Sequence, residues 1–160
     1  MALTLLSDDF QHDAGIPARH TCDGDNMSPS LSWSNAPPGT RSFALIIDDP
    51  DAPDPAAPTV RWVHWVLYNI PPDASHLAAG IRESALPPGT EAGLNDWKNT
   101  RYGGPCPPIG RHRYVHTLYA LDTALPDLHH PTRSHLERAM QGHVLEQTVL
   151  VGTYQRGRQR

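Results

Sequence analysis

Short apolar stretches, each bounded by Gly, Pro, Asn, Asp or Ser, recur along the chain at Leu3–Ser7, Leu31–Ser34, Ser42–Asp48, Val60–Ile70, Arg113–Leu121 and Thr148–Tyr154. Their length and turn-marked spacing predict strands of an antiparallel sandwich or barrel rather than alternating βαβ units. Val60–Ile70 is the longest and the richest in β-branched and aromatic residues, so it is expected at the centre of a sheet. Strict alternation along it puts Trp62, His64, Val66 and Tyr68 on one face and Arg61, Val63, Trp65 and Leu67 on the other. By the same rule His112, Tyr114 and His116 share a face. Pro37-Pro38-Gly39 marks a turn, and Asp51 to Pro58, which holds Pro53, Pro55 and Pro58, is expected to carry no sheet ladder. Pro71–Gly89 and Gly103–Gly110 are the other long connections. One helix is predicted, with Thr132 as its cap, Leu136, Ala139 and Met140 at i, i+3 and i+4, and Gly142 at its end.

Composition narrows the picture. The 160 residues are 38% hydrophobic, enough for one core, and a single domain over residues 1–160 is expected. Lys+Arg 13 against Asp+Glu 17 gives a net charge of −4. The only clustered basic residues, Arg156, Arg158 and Arg160, read as a frayed, solvated tail. Binding to a nucleic-acid backbone is therefore not expected. No apolar run approaches the roughly 18 residues that span a bilayer, and the first residues lack a basic n-region, so a cytoplasmic address without integral membrane association is expected. The two cysteines, Cys22 and Cys106, leave their pairing open. Free thiols suit a cytoplasmic protein, and a disulfide would point to export.

GxSxG, HExxH, GxGxxG and P-loop patterns are absent, which removes the local support for serine hydrolase, zincin, Rossmann and P-loop chemistry. His112 and His116 would stand about 13 Å apart along a strand and could not share a metal ion. Cys106, six residues before His112 in a Gly-Pro loop, is the best candidate nucleophile, while acidic neighbours disfavour Cys22. Asp48-Asp49-Pro50-Asp51-Ala52-Pro53-Asp54 ends an apolar strand in a rigid carboxylate corner. Spacing alone leaves open whether these are plain turn residues and His64 a core histidine.

The ordered set of motifs goes further. It comprises Thr21-Cys22-Asp23-Gly24-Asp25-Asn26, Leu31-Ser32-Trp33, Asp48-Asp49-Pro50-Asp51-Ala52-Pro53, Val63-His64-Trp65-Val66, Tyr102-Gly103-Gly104-Pro105-Cys106-Pro107-Pro108, His112-Arg113-Tyr114 and Gly142-His143-Val144-Leu145. Together they resemble the phosphatidylethanolamine-binding protein family, in its bacterial Raf-kinase-inhibitor-like branch, from about Phe10 to Arg156. The resemblance implies a mainly β, Greek-key-like antiparallel sandwich with one or two short peripheral helices. It also implies a pocket for phosphate or a phosphoryl head group, with no metal and no organic cofactor. Carried over by motif, the ligand-binding residues are Asp49, Pro50, Trp62, His64, Cys106, Pro107, His112 and Tyr114. His64 and His112 would donate N–H bonds to the anion, Tyr114 would add its hydroxyl, and Asp49 would orient one histidine. Binding should then tighten below about pH 6.5 as the imidazoles charge.

The family likeness further implies a regulator or inhibitor of a kinase or protease, and bacterial relatives suggest a homodimer. The alternative is an enzyme or carrier that handles a small phosphorylated or carboxylated metabolite with the pocket histidines as acid and base. Three positions depart from the family pattern: His20, Ser30 and Arg101. Arg101 is expected to bring a cation near the pocket loop.

Overall fold

The computed structural model describes residues 2–157. It is mainly β, with strands β1 (Thr4–Leu6), β2 (Ala14–Gly15), β3 (Leu31–Ser34), β4 (Ser42–Ala52), β5 (Val60–Ile70), β6 (His76–Leu77), β7 (Glu91–Ala92), β8 (His112–Leu121) and β9 (Val144–Tyr154), and one helix, α1 (Arg133–Met140). The strands form a three-stranded sheet, β1-β3-β6, and a six-stranded sheet, β2-β9-β8-β4-β5-β7. All neighbours are antiparallel except β2 and β9, which run parallel.

The core lies on both faces of the large sheet. Between the sheets, Leu5, Leu31 and Trp33 meet Phe43, Leu45, Ile47, Trp65 and Leu67. On the opposite face, Ala44, Ile46, Val66 and Tyr68 pack under Leu136 and Met140 of α1. This explains why β4 and β8, rather than β5, are the central strands. Phe43-Ala44-Leu45-Ile46-Ile47 is an unbroken run of fully buried side chains, as a strand covered on both faces requires. β5 has β4 on one side and only the two-residue β7 on the other.

Three further expectations change. β4 does not stop at Asp48 but continues through Pro50 to Ala52, which pairs with Val60. A register shift between Asp49 and Ala52 lets the ladder skip the proline, which has no N–H to give. A second irregularity, where Ile47 faces Trp65 but the next residue, Asp48, faces Val63, resets the alternation in β5. Val63, Val66 and Tyr68 therefore all face α1, while His64 turns to the side of Tyr114. β9 also begins at Val144, earlier than its apolar pattern shows, because its first half is largely exposed.

The helix is capped as expected, the Thr132 hydroxyl accepting from His135 N–H at 3.3 Å. Arg156 is not frayed: its guanidinium donates to Asp23 Oδ1 at 2.9 and 3.1 Å. Arg158 and Arg160 lie outside the described residues. No helix among the described residues is long and apolar enough to cross a membrane.

Candidate functional site

A cavity of about 450 Å³ opens at the corner where β4, β5 and β8 meet the Gly103–Gly110 loop. Of the residues expected there, Asp49, Trp62, His64, Cys106, Pro107, His112 and Tyr114 line it, and Pro50 does not. His116 shares the face of Tyr114 but packs against Phe10, with Nδ1 bound to backbone carbonyls, outside the cavity.

His112 is fully buried, and both of its ring nitrogens are occupied. Nδ1 lies 2.6 Å from Asp49 Oδ2 and Nε2 lies 2.8 Å from the Ile109 carbonyl. A carbonyl can only accept, so Nε2 carries a hydrogen, and the Nδ1–Asp49 contact holds another. His112 thus has no N–H left for a ligand, which corrects its expected role as a donor. Asp49 also accepts the Asp51 N–H at 2.8 Å. Burial raises the Asp49 carboxyl above the usual carboxylate range, opposed by the His112 bond.

His64 differs in a second way from the expectation. Its Nδ1 donates to the Gly103 carbonyl at 2.6 Å, which leaves Nε2 as an acceptor. Burial pushes its pKa down to about 4, with the Gly103 bond opposing. His64 is therefore neutral near pH 7 rather than a charged anion donor. Its ring stands edge-on to Tyr114 and Trp97, with centroids 5.2 and 5.0 Å away.

Tyr114 is 1% exposed, and its hydroxyl has no hydrogen-bond partner among the described residues. Burial pushes its phenol up, so it keeps its proton. The walls are apolar: Trp62 and Trp97 meet edge to face at 5.5 Å. Among the described residues, no Lys or Arg lines the cavity. Arg113 at the exterior is held by Asp51 at 2.8 and 3.0 Å, and Arg101 lines other clefts, so it brings no cation to this one.

Sequence reasoning missed Trp97 and the two carbonyls that fix the histidines. Trp97 could have been flagged as a lone large aromatic in the polar stretch Asn95–Arg101. There the buried Asn95 shapes the turn, its Oδ1 accepting from Trp97 N–H at 2.9 Å and its Nδ2 donating to the Arg101 carbonyl at 2.7 Å. The carbonyls of Gly103 and Ile109 carry no side-chain signal.

The sequence profile of the phosphatidylethanolamine-binding proteins matches residues 6–155. The chain belongs to the phosphatidylethanolamine-binding protein family. Among its relatives in this family, a UPF0098 protein of Methanothermobacter thermautotrophicus is 45% identical over 156 residues, covering 97% of this chain and 100% of the relative. A UPF0098 protein of Chlamydia pneumoniae is 40% identical, covering 96% and 99%. The phosphatidylethanolamine-binding protein homolog CT736 from Chlamydia trachomatis superposes with a TM-score of 0.89 at 37% identity, covering 98% of this chain and 99% of that one. YbcL from E. coli, described as a member of the mammalian family, gives 0.87 at 28% identity, covering 98% and 100%.

Within this family member, Cys106 is not a nucleophile. It is joined to Cys22 in a disulfide across 84 residues of sequence, so neither cysteine is the free thiol expected of a cytoplasmic chain.

Proposed function

We infer that the cavity binds a phosphoryl head group or a similar small oxyanion that retains one proton. One observation carries this: the buried Tyr114 hydroxyl, unpartnered among the described residues, sits beside His64, whose Nε2 is left as an acceptor once Nδ1 is bound to Gly103. A buried polar group without a partner costs roughly 1–3 kcal/mol, and a ligand oxygen at Tyr114 would recover that. A singly protonated phosphate matches the pair, its P–O⁻ accepting from Tyr114 and its P–OH donating to His64 Nε2. A dianion would meet no Lys or Arg among the described residues there, and the His112–Asp49 pair, with one proton shared between them, has no net charge to offset it. Trp62 and Trp97 supply an apolar wall for the carbon side of an ester.

This keeps the expected pH dependence but moves its cause from the imidazoles to the ligand, whose second pKa is about 6. Regulation of a kinase or serine protease through the rim is supported by family likeness and by the exposure of Trp97 and Ile109, at 43% and 53%. The cytoplasmic address is kept as a proposal with one consequence. The disulfide would then stand in a compartment that reduces such bonds.

Calorimetric titration with inorganic phosphate, O-phosphoethanolamine and an alkyl phosphate, at about pH 5.5 and pH 8, tests the site. The expected result is saturable binding, tighter at the lower pH and about tenfold weaker or worse in Tyr114→Phe. Absence of binding at both pH values, or wild-type affinity in Tyr114→Phe, overturns it. Product analysis of the same samples separates a binder, which returns its ligand unchanged, from the enzyme or carrier alternative.

A further inference from the structure

A second cavity, of about 350 Å³, shares no lining residue with the phosphoryl cavity among the described residues. Its walls are apolar: Met27, Trp65, Ile81, Leu86 and Tyr102. They are held from behind. Trp65 belongs to the core between the sheets, and Ile81, Leu86 and Tyr102 pack against that core. Trp65 and Tyr102 meet edge to face with ring centroids 5.6 Å apart. The Tyr102 hydroxyl donates to the His20 carbonyl at 2.8 Å, so what this residue offers a ligand is its ring. The lip is ordered by its own backbone. Gly80 N–H donates to the Ser28 carbonyl at 2.8 Å, Ile81 N–H to the Ala78 carbonyl at 3.1 Å and Leu86 N–H to the Glu83 carbonyl at 3.2 Å. Met27 packs so close to Gly80 that a Cβ there would lie 2.9 Å from its Cε. The cleft is therefore formed before any ligand arrives, which spares a ligand the cost of ordering it.

The charges here differ from those elsewhere on the chain. Arg19, Arg61, Arg113, Arg133 and Arg156 each lie on a carboxylate. Arg82 and Arg101 line this cleft, and neither guanidinium has an ion pair or hydrogen bond among the described residues. Both are exposed, whereas the walls are buried or half-buried, so the two cations stand at the rim of an apolar interior. Among the described residues, Glu83 is the single carboxylate in the lining. Two cations against one anion leave the rim with a net positive charge, and Arg101 brings its cation here instead of to the phosphoryl cavity.

We propose that this cleft is a second ligand site, for a small amphipathic monocarboxylate: its ring or short chain lies against Trp65, Ile81, Leu86 and Tyr102, and its carboxylate accepts from Arg82 and Arg101. Burying the apolar body removes surface of both ligand and cleft from water. A guanidinium presents its N–H groups in a fork that fits a carboxylate. A second carboxylate on the ligand would face Glu83 with no further cation to offset it, which selects a monoanion. The volume lies at the lower end of small-molecule pockets, which run from about 300 to 1,000 Å³. That suits one ring or a short chain and is too small for a diacyl lipid.

Calorimetric titration with hydrocinnamate tests the site, with its amide as the uncharged counterpart and acetate as the carboxylate without a body. Saturable one-to-one binding is expected, with the amide and acetate each weaker by about tenfold or more. Arg82→Gln and Arg101→Gln should each weaken hydrocinnamate about three- to fivefold, the scale of an exposed charge pair, and the double variant about tenfold or more. Neither side chain is buried, so these variants keep the fold and lost binding reads the contact itself. Tyr114→Phe alters the other cavity and should bind hydrocinnamate as the wild type does, so this site stands or falls independently of phosphoryl binding. Absence of saturable hydrocinnamate binding, equal affinity for the amide or acetate, or wild-type affinity in the double variant overturns the proposal. Loss of hydrocinnamate binding in Tyr114→Phe also overturns it, since the carboxylate would then occupy the phosphoryl cavity.

Discussion

Tyr114 and His64 show how burial decides what a side chain can offer. In Tyr114→Phe the folded chain loses a hydroxyl that has no partner among the described residues, so stability should hold or rise by up to about 1 kcal/mol while phosphate binding falls. Thermal melts set beside the titration check that opposite pair of effects. The buried histidines give a second prediction. Burial lowers His64 and His116 to about 4 each, below the value of about 6.5 they regain on unfolding. The unfolded chain therefore takes up more protons as pH falls, and stability present above about pH 6.5 is lost progressively toward pH 4. Asp48 and Asp49, raised by burial, work the other way: what they contribute is present in acid and is lost as pH rises through their folded values. Urea midpoints at about pH 7 and pH 5 should differ by a margin worth a few kcal/mol, smaller in His116→Gln. Motif matching located Asp49, His64, His112 and Tyr114, but not their protonation. That depends on which carbonyl each ring meets, and Gly103 lies far along the sequence from His64.

At the scale of elements, long apolar strands were legible and short ones were not. Ser42–Asp48 and Val60–Ile70 stand out because most of their side chains are buried, whereas β2, β6 and β7 are two-residue pairings that only their partners create. Alternation failed at the β4–β5 irregularity because the extra residue is a property of the pair, not of either strand. The pocket loop offers a clean contrast between neighbours. A Cβ on Gly104 would lie 2.3 Å from the His20 carbonyl and 3.0 Å from Thr21 Cα. Since backbone cannot swing aside, Gly104→Ala should cost about 1–3 kcal/mol. The three atoms nearest a Cβ on Gly103 all belong to the ring of Trp97, the first at 2.3 Å, and Trp97 is 43% exposed. Gly103→Ala should therefore cost less than about 1 kcal/mol while moving the ring off the cavity, seen as a change in tryptophan emission together with weaker ligand binding.

For the whole molecule, the mainly β class followed from turn spacing, and the sandwich from family likeness. The cross-link did not follow, because two cysteines 84 residues apart say nothing of distance until the sheet brings their loops together. Breaking it should lower stability by about 2–5 kcal/mol, measurable as a lower denaturant midpoint for the reduced chain. A domain of this size still folds with such a loss if its total lies toward the upper part of the usual range of about 5–15 kcal/mol. The parallel pairing of β2 with β9 has a consequence in time. Ala14 pairs with Gly152 and Gly15 with Thr153, and Leu3 N–H donates to Glu146 at 2.8 Å. A ribosome adding roughly 5–20 residues per second therefore releases β2 on the order of ten seconds before its partner exists. β1 can pair with β3 within a few dozen residues, whereas β2, although it lies close behind β1, has to stay unpaired until β9 has been made.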